Sequence, residues 1–391
     1  MSELVNGDHS PGTRPQPKKA KIAQVTARPK TFTALVKTQI TLKHHQLCAQ
    51  LLILPSLQQN LRRSTATMSK PKVLITRQDI PQKALDLLNK ECEVDIWPET
   101  FPIPRNELLK RISGKDALFC LLTEKIDEEV LDAAGLSLKV IGTMSVGHDH
   151  LSLEEIKERR IKVGYTPGVL TDATAELTVA LLLATSRRLI EAHTELLNGG
   201  WAKCAWSPLW MTGWGLAGST VGIFGLGRIG QGVVRRLQGF GVKKFVYNGR
   251  SRRKEGEELG AEYVSFSELL QESDFIVVTC ALNDETREIF NDEAFSKMKK
   301  SAIIVNTSRG GVIKQESLIK ALRTNQIRAA GLDVMTPEPL PPDHELTTLP
   351  NCTLIPHIGS AETTAREGMA LLTASNIIAG LGDCPMPARL C

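Results

Sequence analysis

The chain has 391 residues, of which 42% are hydrophobic, enough for two or three domains with large cores. Its net charge of +5 comes from residues 1–67, where only Glu3 and Asp8 oppose ten lysines and arginines, so the rest of the chain is close to neutral and lacks a nucleic-acid-binding surface. No apolar run reaches the roughly 18 to 20 residues that cross a bilayer, so we expect no membrane association.

Residues 1–67 are predicted to be a disordered N-terminal extension, because Pro, Lys, Gln and Thr dominate the first half and hydrophobic periodicity is poor. Met68 is then an alternative start. The basic, acid-poor composition is also typical of an organelle transit peptide, which would place the protein in mitochondria. Glu3 and Asp8 precede every basic residue, which argues against such a leader, and we expect a cytoplasmic protein.

From residue 68 onward, strand-like and helix-like segments alternate, as in a parallel sheet covered on both faces. A first unit, 68–168, ends at Pro167 and Gly168. A long helix, with Asp172 as its N-cap and running toward Leu196, then leads into a second unit, 169–358. The segment 359–391 is expected to return to the first unit. The pattern predicts an α/β fold of two Rossmann-like, doubly wound parallel-sheet domains, the first of them discontinuous.

A glycine-rich loop follows the first strand of the second unit and opens a helix. Its spacing, Gly-x-Gly-x-x-Gly, allows a tight turn, close backbone approach to a pyrophosphate and close helix packing. An ordinary glycine-rich turn would contain the same glycines, but the strand before and the helix after favour nucleotide binding. The loop residues predicted to bind cofactor are Gly225, Gly227, Arg228, Ile229 and Gly230.

The next strand ends in a basic turn instead of the acidic residue that usually binds the ribose of NAD. Arg250, Ser251 and Arg252 or Arg253 stand there, and no acid occurs before Glu255. Because arginine pairs well with phosphate, the turn favours NADP(H) over NAD. The alternative is a solvated basic turn with little cofactor discrimination.

Three groups suited to oxo-acid chemistry follow later strands of the second unit. Arg309 precedes two glycines at a strand end, and its planar guanidinium suits a carboxylate. His357 follows another strand, and imidazole exchanges protons near neutral pH. Glu338, in a proline-rich loop, is predicted to contact His357, orient its ring and stabilise the imidazolium. Asp333 ends its strand and is expected to line the nicotinamide pocket or to cap a helix.

Taken together, these residues resemble the D-isomer-specific 2-hydroxyacid dehydrogenase family over about residues 72–388. Finer motifs resemble those of family members that reduce glyoxylate and hydroxypyruvate. They lie at 144–147, 164–167, 170–177, 208–210 and 249–250. The resemblance implies NADPH-dependent reduction of a small 2-oxo acid, with His357 as proton donor, Glu338 as its partner and Arg309 on the substrate carboxylate. It also implies a homodimer and no metal.

The resemblance assigns further contacts. The substrate residues it implies are Val146 and Gly147 through their backbone amides, Arg309, His357, Ser360 and, reaching into a neighbouring subunit, Trp206. The further cofactor residues it implies are Ala281, Thr307, Asp333 and Gly359.

Other readings remain open at the level of sequence. His148 and His150 on one loop suggest a metal only weakly, and the eight cysteines include no C-x-x-C pair or zinc-spaced cluster. A dinucleotide-sensing scaffold or transcriptional co-repressor of the same fold can keep the Arg, Glu and His, and the basic segment 1–67 is its only support. An NAD-dependent 3-phosphoglycerate dehydrogenase is a second alternative, disfavoured by the Arg250 turn.

Overall fold

The computed structural model describes residues 69–391, and the expectations for residues 1–67 lie outside this range. Two fully parallel sheets with helices between their strands make up the described chain, which confirms the predicted α/β class with two parallel-sheet units. Among residues 69–391, no helix combines the length and the apolar character needed to cross a bilayer.

The first sheet has five strands in the order β2-β1-β3-β4-β5. Its strands are β1 (Lys72–Ile75), β2 (Glu93–Ile96), β3 (Ala117–Cys120), β4 (Val140–Thr143) and β5 (Lys162–Gly164). The helices that connect them are α1 (Gln82–Glu91), α2 (Arg105–Ile112), α3 (Glu128–Ala134) and α4 (Leu153–Glu158). Every residue of β3 and β4 is buried, as expected for parallel strands covered on both faces.

The second sheet has seven strands in the order β12-β11-β10-β9-β6-β7-β8. Its strands are β6 (Thr220–Phe224), β7 (Lys244–Asn248), β8 (Ala261–Tyr263), β9 (Phe275–Val278), β10 (Ile303–Asn306), β11 (Ala329–Leu332) and β12 (Cys352–Leu354). Its helices are α5 (Thr171–Ser186), α6 (Leu189–Leu197), α7 (Gly200–Cys204), α8 (Arg228–Leu237), α9 (Lys254–Glu258), α10 (Phe266–Glu272), α11 (Asp292–Lys297) and α12 (Gln315–Arg323). Strand order reverses between β6 and β9, and a crevice outside such a switch point is where this topology binds ligands.

The final helix, α13 (Thr363–Leu381), returns to the first sheet. It packs on α1 and on β3, β4 and β5. The close approach depends on glycines in the strands, since a Cβ on Gly142 would lie 2.8 Å from Ile377 and one on Gly164 would lie 2.5 Å from Asn376. Leu390 then donates its backbone N–H to Val163, which ties the chain end to β5.

The helix that leads into the second sheet differs from its prediction in two ways. It ends at Ser186 instead of running on toward Leu196, because Arg188 adopts a left-handed conformation with φ of 54° and α6 starts afresh after it. Asp172 is not the N-cap. Leu170 occupies that position, while Asp172 lies inside the first turn and pairs with Arg236 at 2.9 Å. Strands β2 and β8 are short and mix polar with apolar residues, so no continuous apolar run in the sequence marks them.

Candidate active site

A cavity of about 310 Å³ opens at the carboxyl ends of the strands of both sheets. The loop after β4 lines one side, and the loops after β6, β9, β10 and β12 line the other. Arg309, His357 and Ser360 reach it from the second sheet and the segment after it, and Val146 and Gly147 from the first. The topology therefore gathers at one place residues that are far apart in the sequence, from Leu121 to Met369.

His357 and Glu338 form a contact at the edge of this cavity. His357 Nδ1 lies 2.7 Å from Glu338 Oε2, while Glu338 Oε1 accepts the backbone N–H of Met335 at 2.9 Å. His357 has a φ of 52°, a conformation uncommon for residues with side chains and often found at functional sites. With Nδ1 bound to the carboxylate, His357 has Nε2 left to exchange a proton with a ligand.

Asp333 fixes the loop that carries His357. Its carboxylate accepts the backbone N–H groups of Ile358 at 2.6 Å and Gly359 at 2.8 Å, and its backbone oxygen accepts the N–H of His357 at 2.8 Å. Burial raises the pKa of Asp333 to about 6, against the opposing effect of those two amides. Asp333 also lines the cavity, so it serves the pocket and does not cap a helix.

Arg309 connects the two sides of the cavity. Its Nε donates to Asp149 Oδ1 at 2.9 Å and its Nη1 donates to the backbone oxygen of Ser308 at 2.9 Å. Nη2 faces Gly147 so closely that a Cβ there would lie 1.9 Å from it. Burial opposes ionisation of Asp149, but the Arg309 charge and the hydrogen bonds to the carboxylate together outweigh it and hold the pKa of that carboxyl below its ordinary value. The edge of the guanidinium that the protein leaves unused therefore points at the predicted carboxylate-binding loop.

The glycine-rich loop has the shape that a pyrophosphate requires. Gly225 has a φ of 101°, and a Cβ there would lie 2.7 Å from the Cys280 backbone. A Cβ on Gly230 would lie 2.5 Å from the Gly225 carbonyl oxygen, so α8 packs tightly against the turn. Gly227, the N-cap of α8, faces open space and offers no capping side chain, which leaves the N–H groups of the helix start available to an anion.

The basic turn lies at the end of β7, beside this loop. The Asn248 carbonyl oxygen accepts the N–H of Gly225 at 2.9 Å, which joins the two segments. Arg250, Ser251 and Arg252 are exposed to solvent, and Arg252 lies 3.9 Å from Glu257. The turn itself is outside the residues that line the cavity.

The remaining predicted site residues divide into two groups. Those that line the cavity are Val146, Gly227, Arg228, Ile229, Ala281, Thr307, Gly359 and Ser360. Gly225 and Gly230 shape the turn behind it, whereas Trp206 is 82% exposed and is not part of the cavity of its own chain.

Two charged residues at the cavity, Asp149 and Arg366, were not predicted to act there. Asp149 lies between His148 and His150 in the sequence, and no motif marks it. Arg366, on α13, lines the cavity and donates Nε to the backbone oxygen of Ser360 at 3.1 Å. Burial lowers its pKa, with the Asp333 charge opposing. Its helical segment carries no motif, so only the packing of α13 onto the first sheet shows its place.

Within residues 69–391, no group of three or more potential metal-ligating side chains occurs. His148 lines the cavity, whereas His150 is buried and has Nε2 2.9 Å from Thr143 Oγ1. The two imidazoles therefore have separate environments.

Comparison with known proteins gives consistent matches. The model of the "D-isomer specific 2-hydroxyacid dehydrogenase, NAD binding domain" matches residues 179–359. Glyoxylate reductase/hydroxypyruvate reductase from Mus musculus is 56% identical over 77% of this chain and 91% of its own length, and that from Homo sapiens is 53% identical over 82% and 97%. An NADPH-dependent glyoxylate/hydroxypyruvate reductase from Sinorhizobium meliloti, solved with NADP and malonate, superposes with a TM-score of 0.72 at 29% identity, covering 82% of this chain and 97% of that one.

Proposed function

The chain belongs to the D-isomer-specific 2-hydroxyacid dehydrogenase family, and we propose that it reduces glyoxylate to glycolate and hydroxypyruvate to D-glycerate with NADPH. Family membership makes it an oxidoreductase that uses a nicotinamide dinucleotide. The observation that carries the proposal is the contact of His357 with Glu338 at the edge of the cavity that Arg309 also lines. The names of the mouse and human relatives supply the two substrates.

In the proposed reaction, each residue has a defined task. Arg309 binds the substrate carboxylate through the edge beside Gly147 and stabilises negative charge on the reacting carbonyl oxygen. The bound cofactor supplies the hydride for the carbonyl carbon. Protonated His357 donates from Nε2 to the carbonyl oxygen, and Glu338 stabilises the imidazolium and holds the ring. The sum is 2-oxo acid plus NADPH plus one proton, giving 2-hydroxy acid and NADP⁺.

NADPH preference is supported by the basic turn after β7. Its three arginines and Ser251 stand next to the loop that we assign to the pyrophosphate, and an arginine fork suits a ribose 2′-phosphate. The relative from Sinorhizobium meliloti, which was solved with NADP, gives independent support.

A homodimer is part of the proposal. Large hydrophobic side chains are exposed along residues 189–214, which we call the apolar arm, and such a patch marks an interaction surface. These side chains are Leu189, Ile190, Leu196, Leu197, Trp201, Trp206, Leu209 and Trp214. We further propose a cytoplasmic location. Cys92 is a free, buried thiol, and burial raises its pKa to about 11, so it stays protonated and packs as a small apolar side chain, as in a reducing compartment.

The test is a set of initial rates for the full chain with NADPH or NADH and with glyoxylate or hydroxypyruvate. We expect rapid NADPH oxidation with either acid and slower NADH oxidation. His357→Ala is expected to lower kcat by about 100-fold or more while NADPH still binds. Arg250→Ala is expected to raise KM for NADPH and leave KM for NADH, with Lys254→Ala as the control in the same basic segment.

Three outcomes would contradict the proposal. Tight cofactor binding without turnover of small 2-oxo acids would favour a sensing scaffold. Turnover of 3-phosphoglycerate with NAD would favour the alternative dehydrogenase. Equal loss of NADH and NADPH activity in Arg250→Ala would remove the basis for NADPH preference.

A further inference from the structure

A buried chain of hydrogen bonds lies beneath the loop that faces Arg309. His150 Nε2 lies 2.9 Å from Thr143 Oγ1, Thr143 Oγ1 lies 2.9 Å from Ser145 Oγ, and Ser145 Oγ donates to the backbone oxygen of Gly147 at 2.6 Å. The three side chains are almost fully inaccessible, with exposed fractions of 9%, 0% and 3% for His150, Thr143 and Ser145. Ser145 lies in the 144–147 motif and lines the cavity, but none of the three side chains has been given a role in catalysis.

The Gly147 carbonyl oxygen, at the end of this series of hydrogen bonds, determines which group donates at each step. A carbonyl oxygen only accepts, so the single hydroxyl proton of Ser145 is committed to Gly147. Ser145 must then accept from Thr143, and Thr143 must accept from His150 Nε2. His150 is therefore protonated on Nε2, and its Nδ1 is a bare acceptor.

The surroundings of His150 agree with that assignment. Its Nδ1 is buried without a hydrogen-bond partner among residues 69–391, as a lone pair in an apolar site would be. Burial lowers the pKa of His150 to about 4, so the ring is neutral near pH 7 and carries one N–H. A buried Nδ1 without a partner is unfavourable in either tautomer, so the direction of the hydrogen-bond chain is what places the proton on Nε2.

The loop held by this chain is the one that must meet the substrate. Gly147 approaches the Arg309 guanidinium too closely for any side chain, so a shift of the loop would change how its backbone amides are placed relative to that guanidinium. We propose that Thr143, Ser145 and His150 are positioning residues, whose one-directional hydrogen-bond chain holds the backbone at Val146 and Gly147 in its carboxylate-binding conformation. The inference rests on the proposed function of this loop.

The test compares Thr143→Val with Thr143→Ser in the full-length protein. Valine keeps the shape of the Thr143 side chain but lacks the hydroxyl that links His150 to Ser145, whereas serine keeps that hydroxyl. We expect Thr143→Val to raise KM for glyoxylate and Kd for oxamate about 3- to 10-fold, with kcat and NADPH affinity within about twofold of wild type. Thr143→Ser should stay within about twofold throughout. Thr373→Val, the same change in α13 where the hydroxyl donates to the Met369 carbonyl oxygen at 2.9 Å, is the control.

A second variant and a spectroscopic measurement keep the test decisive. If Thr143→Val does not fold, Ser145→Ala removes the last link and carries the same expectation. In protein labelled with ¹⁵N-histidine, the His150 ring should show a protonated Nε2 and an unprotonated Nδ1.

Two results would overturn the inference: the opposite tautomer, or a Thr143→Val variant with wild-type KM and oxamate Kd. A wild-type protein that binds oxamate but turns over no 2-oxo acid would count against the proposed function alone, because the oxamate and tautomer measurements still report on the chain.

Discussion

Glu338 is held at both of its oxygens, and this determines what it can do for His357. One oxygen accepts the Met335 backbone N–H and the other faces His357 Nδ1 at 2.7 Å. A carboxylate fixed in this way cannot follow the imidazole if the ring turns. The ring is therefore oriented by the backbone after β11, through Glu338, and Nε2 is presented to the cavity.

Substituting Glu338 with glutamine tests this orientation. The amide has similar size but presents an N–H to Nδ1, which favours the wrong tautomer and removes the charge that stabilises the imidazolium. We expect kcat for glyoxylate to fall about 100-fold or more, with little change in NADPH affinity. Glu345→Gln, which alters a surface carboxylate paired with Arg323, is the matched control. A kcat within threefold of wild type would show that Glu338 is dispensable.

Asp333 makes the stability of the fold depend on pH. Its pKa is about 6 in the folded protein against an ordinary value of 3.8, because burial penalises the charge. Because the pKa is higher in the folded protein, protonated Asp333 favours the folded state. This contribution to stability is fully present below pH about 4 and is lost as pH rises through about 6.

Asp333→Asn removes that titration, and it also loses one amide bond at every pH. The quantity to measure is therefore the change in the stability difference between variant and wild type. Relative to wild type, the variant is expected to gain about 1–3 kcal/mol between pH 4 and pH 7.5 in denaturant unfolding. A difference that stays constant with pH would mean that Asp333 keeps an ordinary pKa.

At the scale of elements, the sequence was informative wherever the signal was local. The buried strands are continuous apolar runs, and the glycine loop has its strand before and its helix after, so both could be predicted. The break at Arg188 could not, because a left-handed arginine leaves no compositional trace. The contact of Arg309 with Asp149 joins residues 160 positions apart and depends on how the two sheets face each other. Arg366 likewise reaches the cavity because α13 packs on the first sheet, which no local pattern in the sequence predicts.

Alanine substitutions at two glycines of the α8 loop should have different effects on stability and on cofactor binding. Ala at 230 would place a Cβ 2.5 Å from the Gly225 oxygen, so we expect Gly230→Ala to lose about 1–3 kcal/mol of stability together with cofactor binding. Ala at 227 meets no atom within 4 Å, so Gly227→Ala should keep its stability to within about 1 kcal/mol yet bind NADPH at least about tenfold more weakly.

Thermal unfolding and NADPH titration separate these outcomes. Gly239→Ala, which also meets no atom within 4 Å but lies beyond the end of α8, should change neither quantity. Wild-type NADPH affinity in a folded Gly227→Ala variant would place the pyrophosphate elsewhere.

At the scale of the whole molecule, residues 69–391 leave much of the apolar arm uncovered. Trp206 and Leu209 are each 82% exposed and Leu197 is 72% exposed, which is unfavourable for a protein that stays alone in water. Trp206 is not among the residues that line the cavity of its own chain, so we predict that it contacts substrate in the cavity of a second copy. The proposed homodimer would then be part of the active site as well as a source of stability.

Mixed dimers of Trp206→Ala and His357→Ala chains test this arrangement directly. One of their two sites combines the intact His357 of the first chain with the intact Trp206 of the second, so it should work with a wild-type KM. We expect about half the wild-type kcat per dimer, whereas the Trp206→Ala homodimer has a raised KM and the His357→Ala homodimer is inactive. Dimers of wild-type and His357→Ala chains are the control and should give the same values. A raised KM in the mixed dimer would mean that Trp206 acts within its own chain, and a monomer in gel filtration would exclude the shared site altogether.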